Sequence, residues 1–208
     1  MRLINTETFE LEEFMGPVPR YAILSHTWGD GEVTLQDWQA VRQDDRWRPI
    51  GLSSTLRSQS SEHRLPIYHT PPTDNSLFND CLTVFNSRGT RAGFWKILKA
   101  CFQARADGLG YLWVDTNCID KASSAELSEA INSMYAWYRQ SAVCYAYLAD
   151  VPLATQNTLC DSGSRFRKSR WFTRGWTLQE LIAPTDTIFY SADVRASTLC
   201  APFTPRFC

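Results

Sequence analysis

Tyr21-Ala-Ile-Leu-Ser25 is a short apolar run between turn-forming residues, and the type of fold follows from it. Gly16-Pro-Val-Pro19 precedes the run and Thr27-Trp-Gly-Asp-Gly31 follows it. So brief an apolar stretch between Gly and Pro breakers predicts a buried β-strand. Three further runs of this kind occur later in the chain: Tyr111-Leu-Trp-Val-Asp115, Val143-Cys-Tyr-Ala-Tyr-Leu148 and Thr187-Ile-Phe-Tyr190.

Helices are predicted between these strands. Residues 93–107 carry apolar side chains at helical spacing, and Gly108 is suited to end that helix. Ser123-Ser-Ala-Glu126 fits a capping box at the start of a second helix. Thr177-Leu-Gln-Glu-Leu-Ile182 predicts a third, short helix. The second helix has an apolar stripe expected to face the core, formed by Leu127, Ile131, Met134, Tyr135 and Tyr138.

The alternation of apolar strands with helices predicts the α/β class. We expect a mostly parallel, doubly wound, flavodoxin-like sheet with helices on both faces. In such sheets ligands bind beyond the carboxyl ends of the strands. Ser25, His26, Trp28 and Asp115 follow the first two predicted strands and would lie at that edge.

Composition narrows the class of protein. The 208 residues are 44% hydrophobic, which suits one domain with an insertion and excludes a wholly disordered chain. No apolar run could span a bilayer and the N-terminus lacks a secretory segment, so we expect a cytoplasmic protein away from membranes. A net charge of −1 gives no general attraction to nucleic acid. The seven cysteines include no C-x-x-C pair, so free thiols and no metal site are expected.

Two stretches do not fit the α/β pattern. Residues 41–91 and 194–208 show no sustained period, and so long a structureless segment inside a domain is improbable. Both begin with Val-Arg, whose codons resemble a splice donor. We therefore expect 41–91 to be a mostly disordered insertion, a candidate retained intron, within a domain over 1–193, and 194–208 to be a foreign tail.

Three blocks of sequence resemble one protein family. Tyr21-Ala-Ile-Leu-Ser-His-Thr-Trp-Gly29, Tyr111-Leu-Trp-Val-Asp-Thr-Asn-Cys-Ile-Asp120 and Ser169-Arg-Trp-Phe-Thr-Arg-Gly-Trp-Thr-Leu-Gln-Glu-Leu181 are similar, in this order, to the signature blocks of the fungal heterokaryon incompatibility (HET) domain. The resemblance covers most of 1–40 and 92–193. It implies a cytoplasmic fungal protein that triggers programmed cell death when genetically different hyphae fuse.

HET domains are regarded as distant relatives of Toll/interleukin-1 receptor (TIR) domains of innate immunity. That relation implies a TIR-like fold and partners that are copies of the chain, other HET or TIR-like proteins, or NLR-type death-signalling proteins. Trp176-Thr-Leu-Gln-Glu-Leu181 resembles the TIR Trp-x-x-x-Glu-Leu helix, whose Glu is catalytic in NAD-cleaving members. The resemblance thus implies Glu180 as the catalytic residue of an NAD glycohydrolase, with NAD as substrate and no required cofactor.

Each candidate residue also has a structural interpretation. Thr177-x-x-Glu180 fits a capping box, so Glu180 could serve only the helix start. Ser25, His26, Trp28, Asp115 and Trp176 are candidates for binding the dinucleotide, whereas turn hydrogen bonds or core packing are the alternatives.

Other chemistry receives less support from the sequence. A Cys118–His26–Asp115 hydrolase can be drawn, but no spacing demands it. Arg174 ends a basic run that would attract a pyrophosphate or form a solvated loop. The sequence contains no Gly-x-Gly-x-x-Gly phosphate loop, so a dehydrogenase-type NAD site is disfavoured. The competing function is a non-catalytic assembly or adaptor module.

Overall fold

The computed structural model describes residues 1–42, 92–152 and 163–192. Within these ranges six strands form one mixed sheet in the order β2-β1-β4-β3-β5-β6. The strands are β1 (Arg2–Asn5), β2 (Leu11–Glu13), β3 (Ala22–His26), β4 (Tyr111–Val114), β5 (Val143–Tyr147) and β6 (Thr187–Tyr190). The last four are the predicted strands.

The four predicted strands run parallel to one another. β3 lies at the centre and pairs in parallel with β4 on one side and β5 on the other, with Ile23 opposite both Trp113 and Cys144. β6 extends the sheet beyond β5 in the same direction. The chain therefore goes from β3 to β4, then crosses to the far side of β3, which brings the carboxyl ends of β3 and β5 together. The prediction of a mostly parallel α/β sheet is confirmed.

Helices follow the parallel strands as the alternation predicts. Within the described ranges they are α1 (Leu35–Arg42), α2 (Ala92–Ala106), α3 (Ser124–Gln140) and α4 (Thr177–Ile182), with a 3₁₀ turn at Arg170–Thr173. Gly108 has a φ of 74° just beyond α2, which is the left-handed conformation of a helix stop. Ser123 caps α3 by accepting a hydrogen bond from the Glu126 backbone nitrogen at 3.3 Å. The Gly108 stop and the Ser123 cap are confirmed, but the capping box is incomplete, because Glu126 accepts from the Asp120 nitrogen and not from that of Ser123.

An antiparallel hairpin and a helix extend the predicted fold. β1 pairs antiparallel with β4 and with β2, placing Ile4 opposite Leu112 and Leu11. β2 is a three-residue edge strand without a fully buried side chain, so its sequence carries little apolar signal. α1 buries Leu35 and Trp38, and the ring of Trp38 stacks on Phe94 with 5.6 Å between centroids.

The core lies on both sides of the central strand. All five residues of β3 are buried, so both faces of the sheet are covered there. A smaller cluster around Trp171 packs the 3₁₀ turn against the ends of β5 and β6. None of the helices in the described ranges is long and apolar enough to cross a membrane.

The predicted insertion and tail lie almost wholly outside the described residues. The structure describes neither 43–91 nor 193–208. α1 continues through Val41 and Arg42, the first two residues of the predicted insertion. The proposal that 41–91 interrupts the domain thus stays a prediction.

Candidate functional site

A pocket of about 490 Å³ opens beside the carboxyl end of β3. Four of the six candidate residues line it: Trp28, Asp115, Trp176 and Glu180. Ser25 and His26 are almost completely buried beneath it and are not part of its wall. The remaining described residues of the wall are Thr27, Ile119, Lys121, Leu127, Ile131, Met134 and Arg174.

Glu180 is a buried carboxylate at the base of this pocket, with only 3% of its surface exposed. Its Oε2 accepts hydrogen bonds from Ser25 Oγ at 2.5 Å and from Arg174 Nη1 at 3.2 Å. Arg174 Nη2 donates to Oε1 at 3.3 Å. Burial raises the pKa of Glu180 above its usual range, although the charge of Arg174 and the bond from Ser25 oppose the rise.

The interpretation of Glu180 as a helix cap is wrong. The cap position of α4 is Trp176, and no side chain bonds to the backbone there. Thr177 instead donates its hydroxyl to the Trp171 carbonyl, tying the start of α4 to the 3₁₀ turn. The carboxylate of Glu180 is consequently directed at the end of β3 rather than at its own helix.

Ser25 links the sheet to this carboxylate. Trp171 Nε1 donates to Ser25 Oγ at 2.7 Å, and Ser25 in turn donates to Glu180. Because a hydroxyl has one proton, the bond received from Trp171 leaves that proton for Glu180. Ser25 therefore orients the carboxylate, and its expected contact with a ligand stays a prediction.

Trp28 is held at the rim of the pocket by two contacts. Its Nε1 donates to Asp115 Oδ2 at 2.8 Å, and Lys121 Nζ lies 3.5 Å from the centroid of its ring. About half of the Trp28 surface, 49%, is still exposed. An indole fixed at its edge and covered on one face leaves the other face for stacking against a planar ligand.

Trp176 and α3 form the opposite walls. Trp176 is 50% exposed, so the alternative that it packs in the core is wrong. Leu127, Ile131 and Met134 of the predicted stripe line the pocket, and Leu127 and Met134 also pack against the core. The helical spacing correctly predicts a shared face on α3, but the pocket lies between that face and the sheet end.

A buried ionic cluster lies behind the pocket. Both ring nitrogens of His26 lack hydrogen bonds, with Nε2 3.4 Å from Glu32 and Nδ1 3.9 Å from Asp115. Lys96 Nζ contacts the Glu32 oxygens at 2.6 and 2.8 Å. Burial raises the pKa of Glu32, but His26 and Lys96 outweigh it and lower that pKa to about 2. Glu32 is therefore ionised and anchors the loop after β3.

Thiol and metal chemistry receive no support from the described residues. Cys118 is buried, and burial raises its pKa to about 12, so it is not a thiolate nucleophile near neutral pH. Within 1–42, 92–152 and 163–192 no three His, Cys, Asp or Glu side chains form a group that could hold a metal ion.

Sequence reasoning missed three charged residues of this region. Glu32, Lys96 and Lys121 lie far apart along the chain and belong to no recognisable spacing. They come together because the parallel strands bring the loops after β3 and β4 to one edge, where Lys96 of α2 contacts Glu32. The nearest signal was the Gly-rich Gly29-Asp-Gly31 segment, which indicates a turn but not its ionic anchor.

Comparisons with known proteins agree with the three sequence blocks. Residues 21–165 match the family described as heterokaryon incompatibility protein (HET). The vegetative incompatibility protein HET-E-1 of Podospora anserina is 38% identical over 185 residues, which covers 86% of this chain. The chain spans only 10% of the length of that relative. No solved structure matches the chain.

Proposed function

The chain belongs to the heterokaryon incompatibility (HET) family, as its sequence blocks predict, and we propose that it is a cytoplasmic effector of fungal vegetative incompatibility that triggers programmed cell death by cleaving NAD. The name of the Podospora relative supports the role in incompatibility. The pocket at the sheet edge supports the chemistry.

A doubly wound, TIR-like topology is part of this proposal. Across the sheet the parallel strands lie in the order β4-β3-β5-β6. Numbered along the chain as parallel strands one to four, this order is 2-1-3-4, as in flavodoxin-like sheets. In that order the ligand site lies between the carboxyl ends of the first and third strands, here β3 and β5. Glu180 contacts this point through its hydrogen bond with Ser25, near the carboxyl end of β3.

The buried Glu180 carboxylate is the observation that carries the proposal. When the nicotinamide–ribose bond breaks, its electron pair goes to the ring nitrogen and nicotinamide leaves as a neutral molecule. Positive charge then develops on the ribose C1′ and ring oxygen, and a nearby carboxylate stabilises that charge. Water adds to C1′, which yields ADP-ribose and one proton.

Glu180 keeps an acceptor position for the ribose. A carboxylate has about four lone-pair positions, and the described contacts occupy three of them. The remaining position is on Oε1, which accepts only from Arg174. A ribose hydroxyl donating there would hold the sugar beside the negative charge.

The other walls suit a dinucleotide. Trp28 and Trp176 offer exposed aromatic faces, and the apolar side chains on α3 provide a surface for a planar base. A pocket of about 490 Å³ falls in the usual size range of small-molecule sites. The reaction as written needs neither a metal nor a further cofactor.

The test compares NAD consumption by the full chain with that of Glu180→Gln. The amide keeps the shape but removes the charge, so we expect turnover to fall by at least about a hundredfold. Glu129→Gln is the matched control, because Glu129 is exposed on α3 outside the pocket wall and its loss should leave turnover unchanged. The assay is run both dilute and cross-linked, since assembly is expected to activate the domain. Equal turnover in Glu180→Gln and wild type would rule out Glu180 as the catalyst.

Assembly without catalysis is the second candidate function. Large apolar side chains on the contacting helices α3 and α4 are exposed: Ile131, Tyr135, Leu178, Leu181 and Ile182. Such a patch favours association, here with a second copy of the chain or with another HET, TIR-like or NLR-type protein. Cell death that persists in Glu180→Gln without loss of NAD would support this function over catalysis. Loss of both together would support NAD cleavage.

A further inference from the structure

Lys121 is a cation in the pocket wall that has no carboxylate partner among the described residues. Two cations line the pocket among the described residues, and one of them, Arg174, is paired with Glu180. None of the ion pairs among the described residues involves Lys121. Its ammonium instead lies over the ring of Trp28, 3.5 Å from the centroid.

This placement is costly for the free protein. Lys121 is half-buried, and burial lowers its pKa although the charges of Asp115 and Glu32 raise it. An ammonium withdrawn from water is usually compensated by an ion pair, whereas a cation–π contact returns only part of the lost hydration. Three N–H donors are therefore held at the rim of a pocket with one aromatic face beneath them.

We propose that Lys121, positioned on Trp28, is the anion subsite of the pocket and binds a phosphate of a nucleotide ligand. The inference deepens the proposed function, because it assigns the pyrophosphate side of the substrate to the Trp28 rim and the ribose to Glu180. It predicts a preference for phosphorylated ligands over nucleosides. The charge of Arg174 is already paired with the Glu180 carboxylate, so Lys121 is the better candidate for a phosphate.

Trp28 orients the lysine rather than binding the phosphate itself. The bond from Trp28 Nε1 to Asp115 fixes the ring, and the ring in turn supports the ammonium. Asp115 accepts a hydrogen bond from the indole N–H and so fixes the ring, and its charge favours the protonated form of Lys121 without an ion pair between the two among the described contacts. The subsite thus consists of one binding group and two positioning residues.

Calorimetric titration of the full chain with ADP-ribose, AMP and adenosine tests the subsite, since none of these has a nicotinamide bond to cleave. Lys121→Met removes the charge and keeps a flexible side chain on Trp28. We expect it to weaken ADP-ribose and AMP about tenfold or more, since a charged hydrogen bond is lost, and adenosine less than twofold. Lys121→Arg should restore most of the affinity for the phosphorylated ligands. Lys168→Met, an exposed lysine outside the pocket wall, is the control and should change nothing.

The outcomes separate this proposal from the proposed function. Equal weakening of ADP-ribose and adenosine by Lys121→Met would overturn it, because Lys121 would then act only by holding Trp28. Absence of ADP-ribose binding to the wild-type chain would overturn it as well. A selective loss of phosphorylated ligands supports the subsite even if Glu180→Gln leaves NAD turnover unchanged, in which case only the catalytic proposal fails.

Discussion

Glu180 carries opposing influences on its charge. Its burial beneath the pocket favours the neutral acid, whereas Arg174 and Ser25 favour the carboxylate that the proposed chemistry needs. The net effect is a pKa raised above the ordinary value for glutamate. A catalytic carboxylate in this position would lose its charge at a higher pH than an exposed one, so the acid limb of activity should reveal it.

Replacing Arg174 by methionine should move that acid limb. Without the guanidinium the pKa of Glu180 rises further, so we expect the acid limb of NAD turnover to shift to higher pH. Arg174→Lys, which keeps a charge but not the two-point contact, should shift it less. The measurement is the pH profile of turnover for the three proteins. Coincident profiles would mean that Arg174 does not control the ionisation of Glu180.

The stability of Arg174→Met gives a second readout. The pKa of Glu180 is raised in the folded protein, so the Glu180 carboxyl binds its proton more tightly there than in the unfolded chain. The stability gained in this way is present below the ordinary glutamate pKa and is lost as pH rises through the raised value. Urea unfolding of Arg174→Met should therefore show a steeper loss of stability over that window than wild type.

The sequence indicates which single residues are functional candidates better than it indicates which residues they contact. Glu180 is singled out by the resemblance of its helix to the TIR helix, but its partner Ser25 lies 155 positions away. Lys121 follows the second block directly, and nothing in its neighbours indicates a ring from the loop after β3. The Lys121–Trp28 contact depends on the parallel pairing of β3 with β4, and the Glu180–Ser25 contact depends on the position of α4 beside β3; no local pattern contains either.

The loop after β3 is the element that places Trp28. It is anchored on α2 through the Lys96–Glu32 pair and through a close backbone contact at Gly93. A Cβ at Gly93 would lie 2.7 Å from the Gly31 carbonyl oxygen and 3.1 Å from Glu32 Cα. The Gly93 nitrogen also donates to that carbonyl at 3.3 Å. Only glycine lets α2 begin this close to the loop.

Gly93→Ala should loosen this junction. The added methyl group meets backbone atoms that cannot rotate away, so we expect the free energy of unfolding to fall by about 1–3 kcal/mol. Gly110→Ala is the matched control, because a Cβ there meets nothing within 4 Å and should change stability by less than about 0.5 kcal/mol. Urea unfolding measures both. Equal stability of the two variants would show that the loop yields to the methyl group.

Elements with a strong hydrophobic period could be predicted, and elements without one could not. The four parallel strands read as apolar runs because both sheet faces are buried, and α2 carries a long core-facing stripe. The hairpin of β1 and β2 pairs at the edge through backbone bonds, with mixed polar and apolar side chains. Among the described side chains of α1, Leu35 and Trp38 are buried, and two apolar positions in so short a segment are too few to predict a helix.

The whole chain is larger than the part whose fold is described. Residues 43–91 separate α1 from α2 in sequence, yet the stacked rings of Trp38 and Phe94 hold the two helices in contact. The helices on either side of 43–91 are thus packed together by residues outside that segment. We therefore propose that 43–91 is an insertion, and the intron origin is tested by sequencing the mature transcript. A message that contains both 41–91 and 194–208 would contradict that origin.

Replacing 43–91 by an eight-residue Gly/Ser linker tests the insertion directly. If the described residues form the domain, the shortened chain should fold with the same site, and closing a shorter loop should add about 1–2 kcal/mol to the free energy of unfolding. Urea unfolding measures the first expectation, and ADP-ribose titration measures whether the pocket is intact. An equally long replacement of 43–91 by Gly/Ser repeats is the control, because it changes the sequence without shortening the loop.

A shortened chain that fails to fold, beside a control that folds, would show that the linker is too short. Failure of both would make 43–91 part of the HET domain itself, and the domain boundary would then have to be redrawn to include it.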